Sequence, residues 1–153
     1  MTVIPVPAGY RSVTPYMVAE GAAAAIEWYI KVYGARELMR LSAPEGKVGH
    51  AEIEIGDCRI MIADEAPEHD ARGPKAFGGS PIAMHLYVAD VDTVLARAAA
   101  EGGVLTRPAT DMFYGDRSGT VRDPFGHIWH VATHIEDVAL DEIERRVAAM
   151  RPT

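Results

Sequence analysis

The sequence predicts an α+β fold: two βαβββ modules followed by a C-terminal helix. Three observations predict it. Strand-like and helix-like runs succeed one another in the same order twice, an internal repeat at the level of order and spacing. Each of the two helical runs closes on a glycine, Gly34 and Gly102. The 153 residues are 48% hydrophobic and 24% charged, enough for one cored domain and too few for two ordinary ones.

The first module spans about residues 10–65. "YRSVTPYMVAE" (10–20) reads as a strand. "GAAAAIEWYIKVYG" (21–34) reads as a helix, with Ile26, Tyr29, Ile30 and Tyr33 at helical spacing and Gly34 placed to end it in a left-handed conformation. "RELMRLSAP", "VGHAEIEIG" and "CRIMIADE" follow as three short extended runs, the last two flanking a tight Gly56-Asp57 hairpin. Residues 66–81, "EAPEHDARGPKAFGGSP" from Glu65 onward, are rich in Pro and Gly and read as a linker or mobile loop.

The second module spans about residues 82–135. "IAMHLYVAD" is a strand. Asp90 caps "VDTVLARAAAEGG", a helix with Val91, Val94, Leu95 and Ala98 on one face. "VLTRPATDMF" and "SGTVRD" read as extended, with "YGDR" (114–117) a loop before the last hairpin. Asp123-Pro124-Phe125-Gly126 fits a type I turn, and "HIWHVATH" is the closing strand. The tail "EDVALDEIERRVAAM" (136–150) is an amphipathic helix whose acids come first and arginines last, as the helix dipole favours.

Composition excludes several function classes. A formal net charge of −7 repels phosphate backbones and anionic lipid surfaces, against nucleic-acid and membrane partners. No apolar run approaches the ~20 residues that span a bilayer. "MTVIPVPAGY" lacks the basic and apolar regions of a secretory signal, and Cys58 is the only cysteine. The expected setting is cytoplasmic. No Ser/His/Asp constellation, phosphate loop or dinucleotide fingerprint is found, and Cys58 has no evident base.

Three stretches carry a family resemblance. "AIEWYIKVYGA", "VADVDTVLARAAAEGG" and, most specifically, "YGDRSGTVRDPFGHIWHVATHIEDV" resemble the vicinal-oxygen-chelate superfamily of glyoxalase I, bleomycin-resistance proteins, extradiol dioxygenases and fosfomycin-resistance enzymes, in its PhnB-like branch. The resemblance covers about residues 10–137. It implies two curved sheets, each cupping part of a cavity, in a protein that usually forms a homodimer. In metal-dependent members it implies ligands on the first and last strand of each module, a His on each first strand and a Glu on each last, holding a divalent metal that polarises vicinal oxygens. Those four positions fall here on Thr14, Met61, Ala83 and His130. Three of them depart from the pattern: threonine is a weak ligand, and methionine and alanine do not bind a hard cation. The expectation is therefore no cofactor and no metal, the alternative being a rearranged divalent-metal site.

"RDPFGHIWHVATH" crowds His127, His130 and His134 together. Strand alternation sets His127 apart: with His130 facing the cavity, His127, Trp129 and Val131 face the helix layer. His134 has the right parity but lies about 13 Å from His130 along the strand at ~3.3 Å per residue. His130 is the candidate catalytic residue. His85 has the parity of Ala83 and also points inward. His50, Glu52 and Glu54 share a face of "HAEIEI", so His50 or Glu52 is a candidate to join His85 and His130 if that face is inward; otherwise Glu52 and Glu54 form a solvated strand face. Tyr16, Met61, His85, Tyr87, Tyr114, Arg117 and His130 make up the expected ligand-binding set, apolar with a few polar tips. Arg117 has two readings, a bidentate clamp on a ligand carboxylate or a partner of Asp116 bracing the loop. Trp28 and Trp129 read as core.

Two functions from different classes follow. One is a small-molecule-binding protein without the usual four-ligand metal site. The other is a lyase, isomerase or dioxygenase of the vicinal-oxygen-chelate type, with a rearranged site around His130 and His85 or with His130 as a metal-free general base. A third, interaction through the C-terminal helix, is better explained by that helix docking on its own core or dimer mate.

Overall fold

A computed structural model describes residues 2–152. The chain divides into two compact units, the first running to Ser80 and the second from Pro81. Each is a four-stranded mixed sheet with a helix packed on it.

In the first unit, β1 (Tyr16–Ala19), α1 (Ala22–Tyr33), β2 (Arg36–Ser42), β3 (Val48–Ile55) and β4 (Cys58–Asp64) give the sheet order β1-β4-β3-β2. β1 pairs with β4 in parallel, Tyr16 opposite Met61, and the other pairs are antiparallel. Alternation sorts each strand. Ala51, Ile53, Ile55, Ile60 and Ile62 are buried, as are Ile26, Tyr29 and Val32 of α1, which packs on these strands. The intervening residues His50, Glu52, Glu54, Arg59 and Met61 occupy the opposite, open face. Trp28 is buried in edge-on contact with Tyr29 and Tyr33. The helix ends where the sequence predicts: Gly34 has φ 69° and its N–H returns to the Ile30 carbonyl at 3.1 Å. Its start is capped from a distance, Asp64 of β4 accepting from Gly21 and Ala22 N–H at 3.0 and 2.9 Å.

In the second unit, β5 (Ala83–Tyr87), α2 (Val91–Ala100), β6 (Val104–Asp111), β7 (Asp116–Arg122) and β8 (Ile128–His134) repeat that order, with sheet order β5-β8-β7-β6. α2 packs on β6, β7 and β8, where Val121, Trp129 and Val131 are buried with Val91, Leu95 and Ala98. Asp90 caps α2, accepting from Thr93 N–H at 3.1 Å. Pro108 sits in β6, an edge strand, where a missing N–H is tolerated. Asp123 organises the last turn: its carbonyl accepts from Gly126 N–H, and its carboxylate from Phe125 N–H, His127 N–H and the Trp129 indole.

Four boundaries differ from the sequence reading. The first strand is confined to Tyr16–Ala19, because Pro15 cannot donate to a ladder and interrupts the run. "YGDR" is not wholly a loop: Asp116 and Arg117 already belong to β7. Residues 66–81 carry short 3-10 turns at Pro67–His69 and Pro74–Phe77 and a bridge between Ala66 and Ala71. The tail forms α3 (Leu140–Met150), starting four residues later than expected. Its first turn holds Asp141 and Glu142, but Arg145 and Arg146 fall mid-helix because the helix continues to Met150. Both pair with Glu142, and Arg146 also reaches Glu136 and the Phe113 carbonyl. Among the described residues no helix is long and apolar enough to cross a membrane.

Candidate functional site

The open face of the second sheet carries the buried polar side chains Asp116, Ser118 and Thr120. Its pleat follows from pairing: Asp116 opposite His134, Ser118 opposite Ala132, Thr120 opposite His130, and His85 opposite His130 across the parallel pair. These residues alternate with Gly119, Val121, Trp129 and Val131, which face α2. Strand interiors usually carry apolar side chains on a buried face. Here Asp116, Ser118 and Thr120 are all buried polar residues on one face of β7, each with a hydrogen-bond partner.

His130 Nδ1 lies 2.9 Å from Thr120 Oγ1. Burial pushes its imidazole below the ordinary histidine value, and the charges of Arg107 and His85 push the same way. The His85 and His130 rings are 6.3 Å apart between centroids, and His85 also contacts Tyr87 at 4.8 Å. Tyr87 donates to Asp116 Oδ2 at 2.9 Å, and His134 Nδ1 bonds the other oxygen at 2.8 Å. Burial works to raise the Asp116 pKa, but the hydrogen bonds from His134 and Tyr87 outweigh it and hold the carboxylate below its usual range. Asp137 first, then Asp116, raise His134. Tyr87 is raised, chiefly by its bond to Asp116, with a smaller contribution from nearby Tyr114.

Of the expected ligand-binding set, this face brings together His85, Tyr87 and His130. Tyr114 lies in the turn before β7, edge-on to Phe113. Arg117 is on the opposite face of β7. It donates to both oxygens of Asp92 on α2, at 2.8 and 3.0 Å, and to Asp111 at 2.9 Å. Neither sequence reading of Arg117 describes this: its clamp closes on the protein's own acids, and Asp116 is not among its partners. Tyr16 and Met61 lie on the first sheet's open face. There Tyr16 OH bonds His50 Nδ1 at 2.8 Å, and His50 Nε2 is 3.3 Å from Glu52. Tyr10 also donates to Glu52, and Arg59 stacks over the Tyr10 ring at 4.6 Å. The bond from Tyr10 first, then His50, lower the Glu52 pKa against burial. Sequence reasoning missed Asp116, Ser118, Thr120 and Arg107 as members of the His130 face; His134 has the right parity and is set aside there by its distance alone. The signal was present in "DRSGTVR", whose alternate polar residues fall opposite His130 and His134 once the two strands are paired.

A model of the glyoxalase/bleomycin resistance protein/dioxygenase superfamily matches residues 14–131. The chain belongs to that superfamily. An uncharacterized protein of Mycobacterium bovis is 36% identical over 141 residues, 90% of this chain and 93% of that relative. Among solved structures, TioX from Micromonospora sp. ML1 is similar with a TM-score of 0.60 at 24% identity, over 85% of this chain and 99% of TioX. The PhnB protein of Bacillus cereus is similar with a TM-score of 0.63 at 18% identity, over 80% and 99%. Likeness at these identities shows the fold.

The four positions that the resemblance assigns to metal ligands can be followed individually. Thr14 precedes β1. Met61 pairs with Tyr16 and Glu52. Ala83 pairs with Ile128, not with His130, so the side chain beside His130 on β5 is His85. Among the described residues, no three His, Cys, Asp or Glu side chains converge in a group able to hold a metal ion.

Proposed function

We propose that the protein binds a small molecule on the open face of the second sheet, at His85, Tyr87 and His130, without the four-ligand metal centre of its superfamily. One observation carries the reading. The face combines exposed aromatic surface, Tyr87 being 60% exposed, with buried and hydrogen-bonded Asp116, Ser118 and Thr120. Oriented polar groups beside aromatic surface are what a small-molecule site requires. The donor set does not fit the divalent metal that the family implies: of Thr14, Met61, Ala83 and His130, only the histidine is a strong ligand, where catalytic zinc takes three. Tyr114, in the turn beside Tyr87, belongs to the proposed site. Arg117, turned to Asp92 and Asp111, is left out of it.

A thermal-shift screen of small aromatic and polar molecules in EDTA tests the reading. A ligand at a hundred times its Kd adds about 2.7 kcal/mol, or about 5–10 °C for a chain of this size. The expected result is a rise of that order that His85→Ala and His130→Ala each reduce. No stabilising compound, or a rise indifferent to both substitutions, would overturn it.

A second reading rests on the lowered pKa of His130. An imidazole neutral at pH 7 suits proton transfer, and with His85 beside it the face supports a lyase or isomerase; the dioxygenase alternative would need a divalent metal held at the same two histidines. Turnover abolished by His130→Ala in a folded variant would favour it. We also propose a homodimer in the cytoplasm. Exposed Leu41 and Tyr16 and an exposed Cys58 thiol support those assignments, and light scattering tests the first.

A further inference from the structure

We infer that the proposed site takes a small organic anion, whose carboxylate or other oxyanion is received by Arg107 and His130. The inference rests on the small-molecule reading above and names the ligand class.

Leu105 pairs with Val121, on the face toward α2. Strict alternation would return Arg107, two residues on, to that same face. Instead the ladder is irregular between Leu105 and Arg107, and Arg107 pairs with Thr120 on the open face. A second irregularity before Thr110 restores the phase, Thr110 pairing with Ser118 and Asp111 with Arg117. One extra residue on one strand flips the following side chain to the other face. Two such interruptions in an eight-residue strand thus deliver Arg107 to the surface that carries His130.

Arg107 is satisfied by neutral groups alone among the described residues. Its guanidinium donates to Ser118 Oγ at 3.1 Å, to Thr120 Oγ1 at 3.4 Å and to Met112 Sδ at 3.2 Å. All three acceptors are neutral, and the thioether is a weak one. Among the described residues no carboxylate pairs with it, whereas Arg36, Arg40, Arg117 and Arg146 all hold carboxylates. A half-buried guanidinium with only neutral partners, in a chain of net charge −7, keeps its strongest interaction for an anion.

Thr120 Oγ1 accepts from Arg107 Nε–H and lies 2.9 Å from His130 Nδ1. In the tautomer that takes the Thr120 proton at Nδ1, neutral His130 carries its ring proton on Nε2, a second donor on the same face. Asp116, the acid of this face, lies four residues along β7 from Thr120, about 13 Å at ~3.3 Å per residue, and is occupied by Tyr87 and His134.

The test is histidine-detected NMR titration of the full chain with benzoate, inorganic phosphate and neutral benzamide, in wild type, Arg107→Met and Arg107→Lys. Benzoate is expected to move the His130 ring signals and bind at least about tenfold more tightly than benzamide. Arg107→Met should collapse that ratio toward one, and Arg107→Lys should keep part of it, with unchanged His134 signals reporting an intact fold. Phosphate competing with benzoate would support the same oxyanion site. Equal binding of benzoate and benzamide, or a ratio untouched by Arg107→Met, would overturn the anion inference and leave small-molecule binding standing. No response of His85 or His130 to any of the three would overturn both.

Discussion

Asp123→Ala should be among the most damaging single substitutions in the second unit. Asp123 is 3% exposed, and one of its carboxylate oxygens accepts from Phe125 and His127 N–H at 2.9 and 3.0 Å. The other accepts from the Trp129 indole at 2.9 Å, and Trp129 is itself 2% exposed. Water can reach the half-buried turn amides, so each of those bonds is worth about 1 kcal/mol net. The indole N–H loses this acceptor in a place water does not reach, which costs about 1–3 kcal/mol. Together the loss is about 3–5 kcal/mol, or about 10 °C in Tm at the 2–4 °C per kcal/mol of a chain this size. Urea denaturation measures it. Trp129→Phe in the Asp123→Ala background should cost less than in wild type, because the indole–carboxylate bond is already lost, giving a coupling of about 1–2 kcal/mol. A cost for Asp123→Ala below 1 kcal/mol, or additive single substitutions, would refute the reasoning.

Two further substitutions or titrations read out the same unit. Gly119→Ala should destabilise by about 1–3 kcal/mol, because a Cβ there would lie 3.0 Å from both Ala109 N and Arg107 O, backbone atoms of β6 that cannot yield as the Leu95 tip can; thermal melts check it. The histidines should titrate in opposite directions by NMR, His130 below 6.5 and His134 above it. Because Asp137 and Asp116 raise His134, its contribution to stability is fully present below pH 6.5 and is lost as pH rises through its folded pKa; His134→Gln should remove that decline, and a reversed order of the two pKa values would contradict the hydrogen-bond assignments.

The repeated order of elements was legible because it depends on local signals: alternation in "HAEIEI", helical spacing in "AIEWYIKVY", caps at Gly34 and Asp90, and the Gly56-Asp57 hairpin turn. The pairing of His85 beside His130 was legible only as a shared parity; the register that makes them neighbours comes from the parallel β5–β8 ladder. The acids that hold Arg117 were hidden for the same reason. Asp92 lies on α2, 25 residues away, and Asp111 is its pairing partner on β6; only the pleat of β7 shows that Arg117 faces α2. Arg107 was not singled out at all. "VLTRPATD" carries no residue that marks a bulge before the arginine, and without the bulge alternation assigns it to the wrong face.

The central claim is that this chain keeps its superfamily's fold while replacing the metal-ligand set with a hydrogen-bonding one. Metal content per chain tests it most directly, measured by elemental analysis after equilibration with Ni(II), Zn(II), Mn(II) and Fe(II), in wild type and His130→Ala. Substoichiometric metal, equal in the two proteins, is the predicted result. Near-stoichiometric metal in wild type that disappears in His130→Ala would contradict it and make His130 a ligand.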